Sequence, residues 1–179
     1  MRGLSLECAA AVVVAAVTIV GRAGGDPPHD VASVFFVAKS ENRNQVHYGV
    51  HLDATCAPTG AAPVFVYWRM LEHGPVMTES LLSREVSAYG LADQRVVERR
   101  IDGGRIVVRL RALPDRPIEI TTASRDGQCD AFATMPIDGT PAALASVFVQ
   151  LRWPFGVDYL QLAGRSLSNG HPLRERLER

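Results

Sequence analysis

The chain has 179 residues, 47% hydrophobic and 21% charged, which allows one domain with a real core and excludes a disordered or multi-span membrane chain. Lys plus Arg equals Asp plus Glu at 19 each, so no net field draws it onto nucleic acid or anionic lipid, and no nucleic-acid partner is expected.

In chain order, residues 1–23 read as a signal peptide. Arg2 supplies a minimal basic start. Residues 9–20 are an unbroken apolar run with one Thr, short for a bilayer span of about 20 residues. Gly21-Arg22-Ala23 offers small residues for cleavage after Ala23. Glu7, just before the run, keeps an uncleaved anchor open as the alternative. Cys8 precedes the run and does not fit a lipoprotein site. The expectation is an exported protein, periplasmic or secreted, with no stable membrane span after cleavage. Residues 24–30 read as a flexible lead, 31–167 as a single β domain, and 168–179 as a polar, exposed tail.

Short β-like runs follow, punctuated by turns. Residues 31–40 end at Asn42-Arg43-Asn44-Gln45. Residues 46–53 alternate: Val46, Tyr48, Val50 and Leu52 share one face, and His47, Gly49, His51 and Asp53 the other. Residues 64–72 are apolar on both faces, as in a central strand. Residues 80–88 are the helical candidate, with Ser80 as N-cap. Strands are expected over 95–101 and 106–113 around Gly103-Gly104, then over 118–122, 129–135, 143–153 and 157–163. The fold class is mainly β: an antiparallel meander of eight or nine strands, forming a barrel or a sandwich, with one short helix.

Cleavage after Ala23 would leave two cysteines, Cys56 and Cys129. In an oxidising compartment they invite a disulfide, with two separate buried thiols as the alternative. Neither sits in a C-x-x-C or at a metal-ligand spacing. His47 and His51 share a strand face but lie about 13 Å apart at about 3.3 Å per residue, too far for one ion. His51 and Asp53 would need a third ligand from elsewhere. No metal or cofactor is expected.

Three motifs stand in order: Asn42-Arg43-Asn44-Gln45-Val46-His47-Tyr48, Pro63-Val64-Phe65-Val66-Tyr67-Trp68, and Glu85 followed by Ala88-Tyr89-Gly90. Together they resemble the mainly bacterial family catalogued as domain of unknown function 4833, over residues 34–167. The resemblance implies that Asn44, Tyr48, Trp68, Tyr89 and Gly90 occupy the family's signature positions, and it brings no activity with it.

There is no G-x-S-x-G elbow, H-E-x-x-H or phosphate-binding glycine loop. Glu72, Glu79, Glu85 and Asp93 are possible general acids and bases whose separations the sequence does not give. Tyr48, Phe65, Tyr67, Trp68 and Tyr89, with His47 and Arg69 nearby, suit either a packed core or a site for a ring-stacking ligand.

Arg99 adds an anionic option. With Ile101 opposite Ile106, the hairpin's solvent face carries Glu98, Arg100 and Arg109, with Glu98 pairing to Arg109. Its core face carries Val97, Arg99, Ile101, Ile106, Val108 and Leu110. A buried Arg99 needs a partner, either Glu72 or Glu85, or an anionic ligand in a cavity. A bulge or register slip would turn it outward. The function expected is ligand or protein binding by an exported module; the alternative is a hydrolase acting on a periplasmic or extracellular substrate.

Overall fold

The computed structural model describes residues 30–40, 42–72, 74, 76–152 and 156–179. The expected signal peptide and the lead up to residue 29 lie outside the described residues.

β1 (Val31–Lys39), β2 (Gln45–Val50), β3 (Val64–Met70) and β4 (Met77–Ser80) form one antiparallel meander. The helix α1 (Ser83–Tyr89) leads into a second, made of β5 (Leu91–Arg100), β6 (Gly103–Leu110), β7 (Leu113–Arg125) and β8 (Gln128–Ile137). β9 (Thr140–Arg152) joins the two along one of its edges. Its residues 140–144 pair with β8, and residues 146–149 pair in parallel with residues 36–39 of β1. β10 (Gly156–Ser166) runs along the opposite edge of β9, and β11 (Pro172–Glu178) pairs with β10. The resulting mixed sheet runs β4-β3-β2-β1-β9-β8-β7-β6-β5 and is not closed.

The meanders share one core because their strands alternate. Phe35, Val46, Tyr48 and Trp68 point inward from the first; Ile106, Val108, Ile118, Ile120 and Ala133 do so from the second. Each fully buried large apolar side chain stabilises the fold by about 1.5–3 kcal/mol. The Gln94 side chain stands in for a missing strand at β3, accepting from Val64 N (2.9 Å) and donating to Val64 O (3.2 Å).

The mainly β class with one short helix is as expected, and eleven strands are present among the described residues. Two were not anticipated. β4 is exposed at all four positions, so no polarity pattern marks it. β11 replaces the expected free tail, with Leu173, Glu175 and Leu177 half-buried between exposed neighbours. The helix begins at Ser83, not Ser80, and its N-cap Leu82 makes no side-chain cap bond; Ser80 ends β4.

The β5–β6 hairpin corrects the expected register. A bulge between Val96 and Glu98 sets Arg100 opposite Gly103 and Arg99 opposite Gly104. Ile101 then falls in the turn, 81% exposed. One extra residue breaks the in–out alternation at that point. Val96 therefore faces the core, and Val97, expected inward, is exposed. Arg99, opposite buried Gly104, stays on the core face but at the ribbon's end, where it is exposed, and neither Glu72 nor Glu85 is its partner. It donates through Nε to Pro58 O (2.9 Å) and through Nη2 to Gly60 O, pinning the β2–β3 loop. Glu98 meets Arg100 (3.4 Å) and Arg105 (3.6 Å), while Arg109 meets Asp93 (3.8 Å).

The Cys56–Cys129 disulfide is formed, with Cα atoms 5.2 Å apart. It fastens the same loop to β8, and Thr122 Oγ1 donates to Cys56 O at 2.8 Å beside it.

Candidate functional site

β2 and β3 divide the aromatic group between two faces. Tyr48, Trp68 and Tyr89 point into the core; His47, Phe65 and Tyr67 lie on the outer face. Tyr48 is fully buried and stacks on Phe35 with ring centroids 4.4 Å apart. Its hydroxyl donates to Tyr89 O at 2.5 Å, tying β2 to the end of α1. Burial, and after it the neighbouring Tyr89, pushes the Tyr48 phenol far above its ordinary pKa. Tyr48 is thus a structural tie and not an accessible ligand contact.

Where the core ends between β1, β3, β4 and α1, a cleft of about 220 Å³ opens. Lys39, Asn42, Asn44, Trp68, Glu79 and Glu85 line it. Lys39 Nζ sits 5.0 Å from the centre of the Trp68 ring, a cation–π distance. The edge of Tyr89 meets the same indole at 6.0 Å and supports it from the core. Asn44 is fixed from both ends: its Oδ1 accepts from Leu71 N (2.8 Å), and its N–H donates to Asn42 Oδ1 (3.1 Å). Glu85, on α1, is 9% exposed; Glu79, on β4, is exposed at the rim. Asn44, Trp68 and Glu85 come from three separate sequence motifs, and the fold brings them to this one cleft.

The outer face of the same meander carries a continuous row of rings. His51 lies 4.4 Å from Phe65, Phe65 6.0 Å from Tyr67, Tyr67 5.6 Å from His47, and His47 5.4 Å from Phe36. Gly49 makes room for it, because a Cβ there would come within 2.2 Å of the Phe65 ring. Beside the row is a groove of about 420 Å³ lined by Ala32, Phe65, Tyr67, Thr78, Glu79 and Ser80.

His47 is buried and held at both ring nitrogens. Nε2 donates to Gln45 Oε1 at 2.9 Å, so Nδ1 accepts from the Ser33 hydroxyl at 2.6 Å. Burial, and after it the Arg69 charge, lowers the His47 pKa and keeps the imidazole neutral at neutral pH. Arg69 is exposed, opposite Gln45 in the β2–β3 register.

His51 and Asp53 have other partners. His51 Nδ1 lies 2.9 Å from Asp30 Oδ2, and Asp53 Oδ1 accepts from Thr55 and Ala57. Among the described residues no group of three or more His, Cys, Asp or Glu side chains is placed to hold a metal. A trough of about 450 Å³ on the second meander is lined by Arg95, Arg109 and Glu119, of which Arg109 pairs with Asp93 (3.8 Å) and Glu119 with Arg105 (3.6 Å).

Of the residues nominated from sequence, Trp68 lies in the cleft with Tyr89 behind it, His47 and Arg69 belong to the outer face, Tyr48 is internal, and Arg99 clamps a loop. Lys39, Ser33 and Gln45 were not nominated. Gln45 was within reach, since it lies two residues from His47 on an alternating strand. Ser33 was not, because β1 is irregular between Val31 and Phe35.

No curated protein and no solved structure matches the chain. Residues 35–176 match the model of a domain of unknown function, DUF4833, and the chain belongs to that family.

Proposed function

We propose that the protein is an exported module that binds a small polar ring, of the size and chemistry of a single sugar, in the cleft around Trp68 and Glu85. The observation that carries this reading is the make-up of the cleft: an indole, fixed amides, two carboxylates and an ammonium around about 220 Å³. That volume is below the roughly 300–1,000 Å³ of drug-sized sites, so the occupant is small. Trp68, with Lys39 over its ring, gives the cleft an apolar wall for the C–H side of a sugar. Carboxylates accept from its hydroxyl or amino groups, while Lys39 and the amides donate. The mixed signs favour a hydroxylated or amino-bearing ring over a simple anion.

Export is supported by the basic start and apolar run of residues 1–23, and by a disulfide of the kind oxidising compartments allow. Calorimetric titration with neutral and amino monosaccharides tests the binding. Saturable heat, lost in Trp68→Ala and in Glu85→Gln, is expected. No binding by the intact protein to any member of the set would sink the reading. A hydrolytic reading draws on a different face of the sheet, around Ser33 and His47.

A further inference from the structure

We propose that Ser33 and His47 form a nucleophile–base pair that cleaves activated esters bound in the groove beside Phe65 and Tyr67. The pair stands on its own geometry and does not depend on the sugar cleft.

A serine hydroxyl becomes a nucleophile when a neutral imidazole takes its proton and a third group holds the imidazole in the right tautomer. All three parts are present. Ser33 Oγ is 2.6 Å from His47 Nδ1, within the range for proton transfer. Gln45 Oε1 accepts the hydrogen bond of Nε2–H at 2.9 Å and so leaves the Nδ1 lone pair facing Ser33. Phe36 and Tyr67 stack beside the imidazole and fix its plane. Ser33 is exposed while His47 is buried, so the nucleophile faces solvent and the base is shielded. The irregularity of β1 between Val31 and Phe35 aims Ser33, as bulges beside active sites do. Ala32, its neighbour, lines the groove of about 420 Å³.

The chemistry balances with water alone. Ser33 Oγ attacks the ester carbonyl carbon as its proton passes to His47 Nδ1. The bond from that carbon to the leaving oxygen breaks, and the leaving oxygen takes the proton from Nδ1. Water then attacks the acyl-serine, with His47 again accepting the proton. The acid departs and Ser33 regains its hydrogen.

The surroundings also select the substrate. Gln45 is a neutral amide: it orients the imidazole but lends no negative charge to the imidazolium. Arg69 opposes that charge, and Tyr67 is the other titratable group packed on the ring. Slow chemistry follows, restricted to esters whose leaving group needs little protonation. Aryl esters meet that demand, and their rings suit the Phe65–Tyr67 wall.

The test treats the disulfide-intact protein with a fluorophosphonate, maps the adduct by mass spectrometry, and follows p-nitrophenyl butyrate hydrolysis. The expected adduct is on Ser33, with hydrolysis lost in Ser33→Ala and reduced about 100-fold or more in His47→Gln. Gln45→Glu, which supplies the missing charge, is expected to raise the rate several-fold and move the pH profile upward, a change that a merely structural Gln45 would not produce. Ser33→Ala leaves monosaccharide binding unchanged, so the two readings fail separately. An unmodified Ser33 in folded protein at saturating probe would overturn the proposal. So would labelling that Gln45→Glu leaves unchanged in rate and pH profile.

Discussion

Removing the Cys56–Cys129 bridge is the perturbation whose cost follows most directly from the topology. The cysteines are 73 residues apart, and the loop they close contains β3, β4, α1, β5, β6 and β7. The chain-entropy relation for a loop of that length gives about 4 kcal/mol at room temperature. That is a large part of a typical domain margin of about 5–15 kcal/mol. Folded-state contacts survive the loss: Thr122 still holds Cys56 O, and Arg99 still holds the carbonyls of Pro58 and Gly60. The effect therefore acts mainly through the unfolded chain. Cys56→Ala/Cys129→Ala is expected to keep the native circular dichroism spectrum and lose about 4 kcal/mol in urea unfolding. Its m-value should rise, because the freed unfolded chain exposes more surface. At about 2–4 °C per kcal/mol, the thermal midpoint falls by about 8–16 °C. A loss below about 1 kcal/mol with unchanged m would refute the entropic argument. Two alkylatable thiols in the unreduced native protein would refute the bridge itself.

Other outcomes follow from single contacts. Tyr48→Phe removes the donor to Tyr89 O inside the core and is expected to cost about 1–3 kcal/mol in urea unfolding, with the fold unchanged. Arg99→Met releases the β2–β3 loop at a cost of about 1 kcal/mol; faster proteolysis of residues 51–63 checks it, and anion affinity does not change. Glu175 is held below its ordinary pKa chiefly by its bond to Arg116 (2.7 Å), which outweighs burial, with Asp138 N–H (2.8 Å) assisting. Its stabilisation is accordingly full above the ordinary value of 4.5 and is lost as pH falls through the lowered value. Glu175→Gln should cost about 1–2 kcal/mol at pH 7 and nothing once the carboxyl is protonated in both states, as read by urea midpoints across pH.

The parts of the fold legible in sequence are those where burial and period agree. β2 alternates in sequence, with Val46, Tyr48 and Val50 inside as that pattern expects, although His47 and Gly49 on its other face are buried as well, and Gln45, read as part of the preceding turn, opens the strand. The bridge was legible from the cysteine count and the expected export. The bulge at Val96 was not, because one inserted residue leaves composition untouched while exchanging which of Val96 and Val97 faces the core. β11 hid its period because its central half-buried position is a glutamate, satisfied by an arginine 59 residues earlier. The cleft was legible only as scattered residues. Asn44, Trp68 and Glu85 meet through strand pairing and the turn into α1, which no local pattern encodes. Lys39 gave no signal of its own, since its role rests on a ring 29 positions away.

The binding claim is tested most directly by following backbone amide and indole N–H chemical shifts during titration with the tightest-binding monosaccharide. The account predicts saturating changes grouped on Lys39, Asn44, Trp68 and Glu85, and absent in Glu85→Gln. Changes grouped instead on Phe65 and Tyr67, or on Val107 and Arg109, or no saturating changes at all, would contradict it.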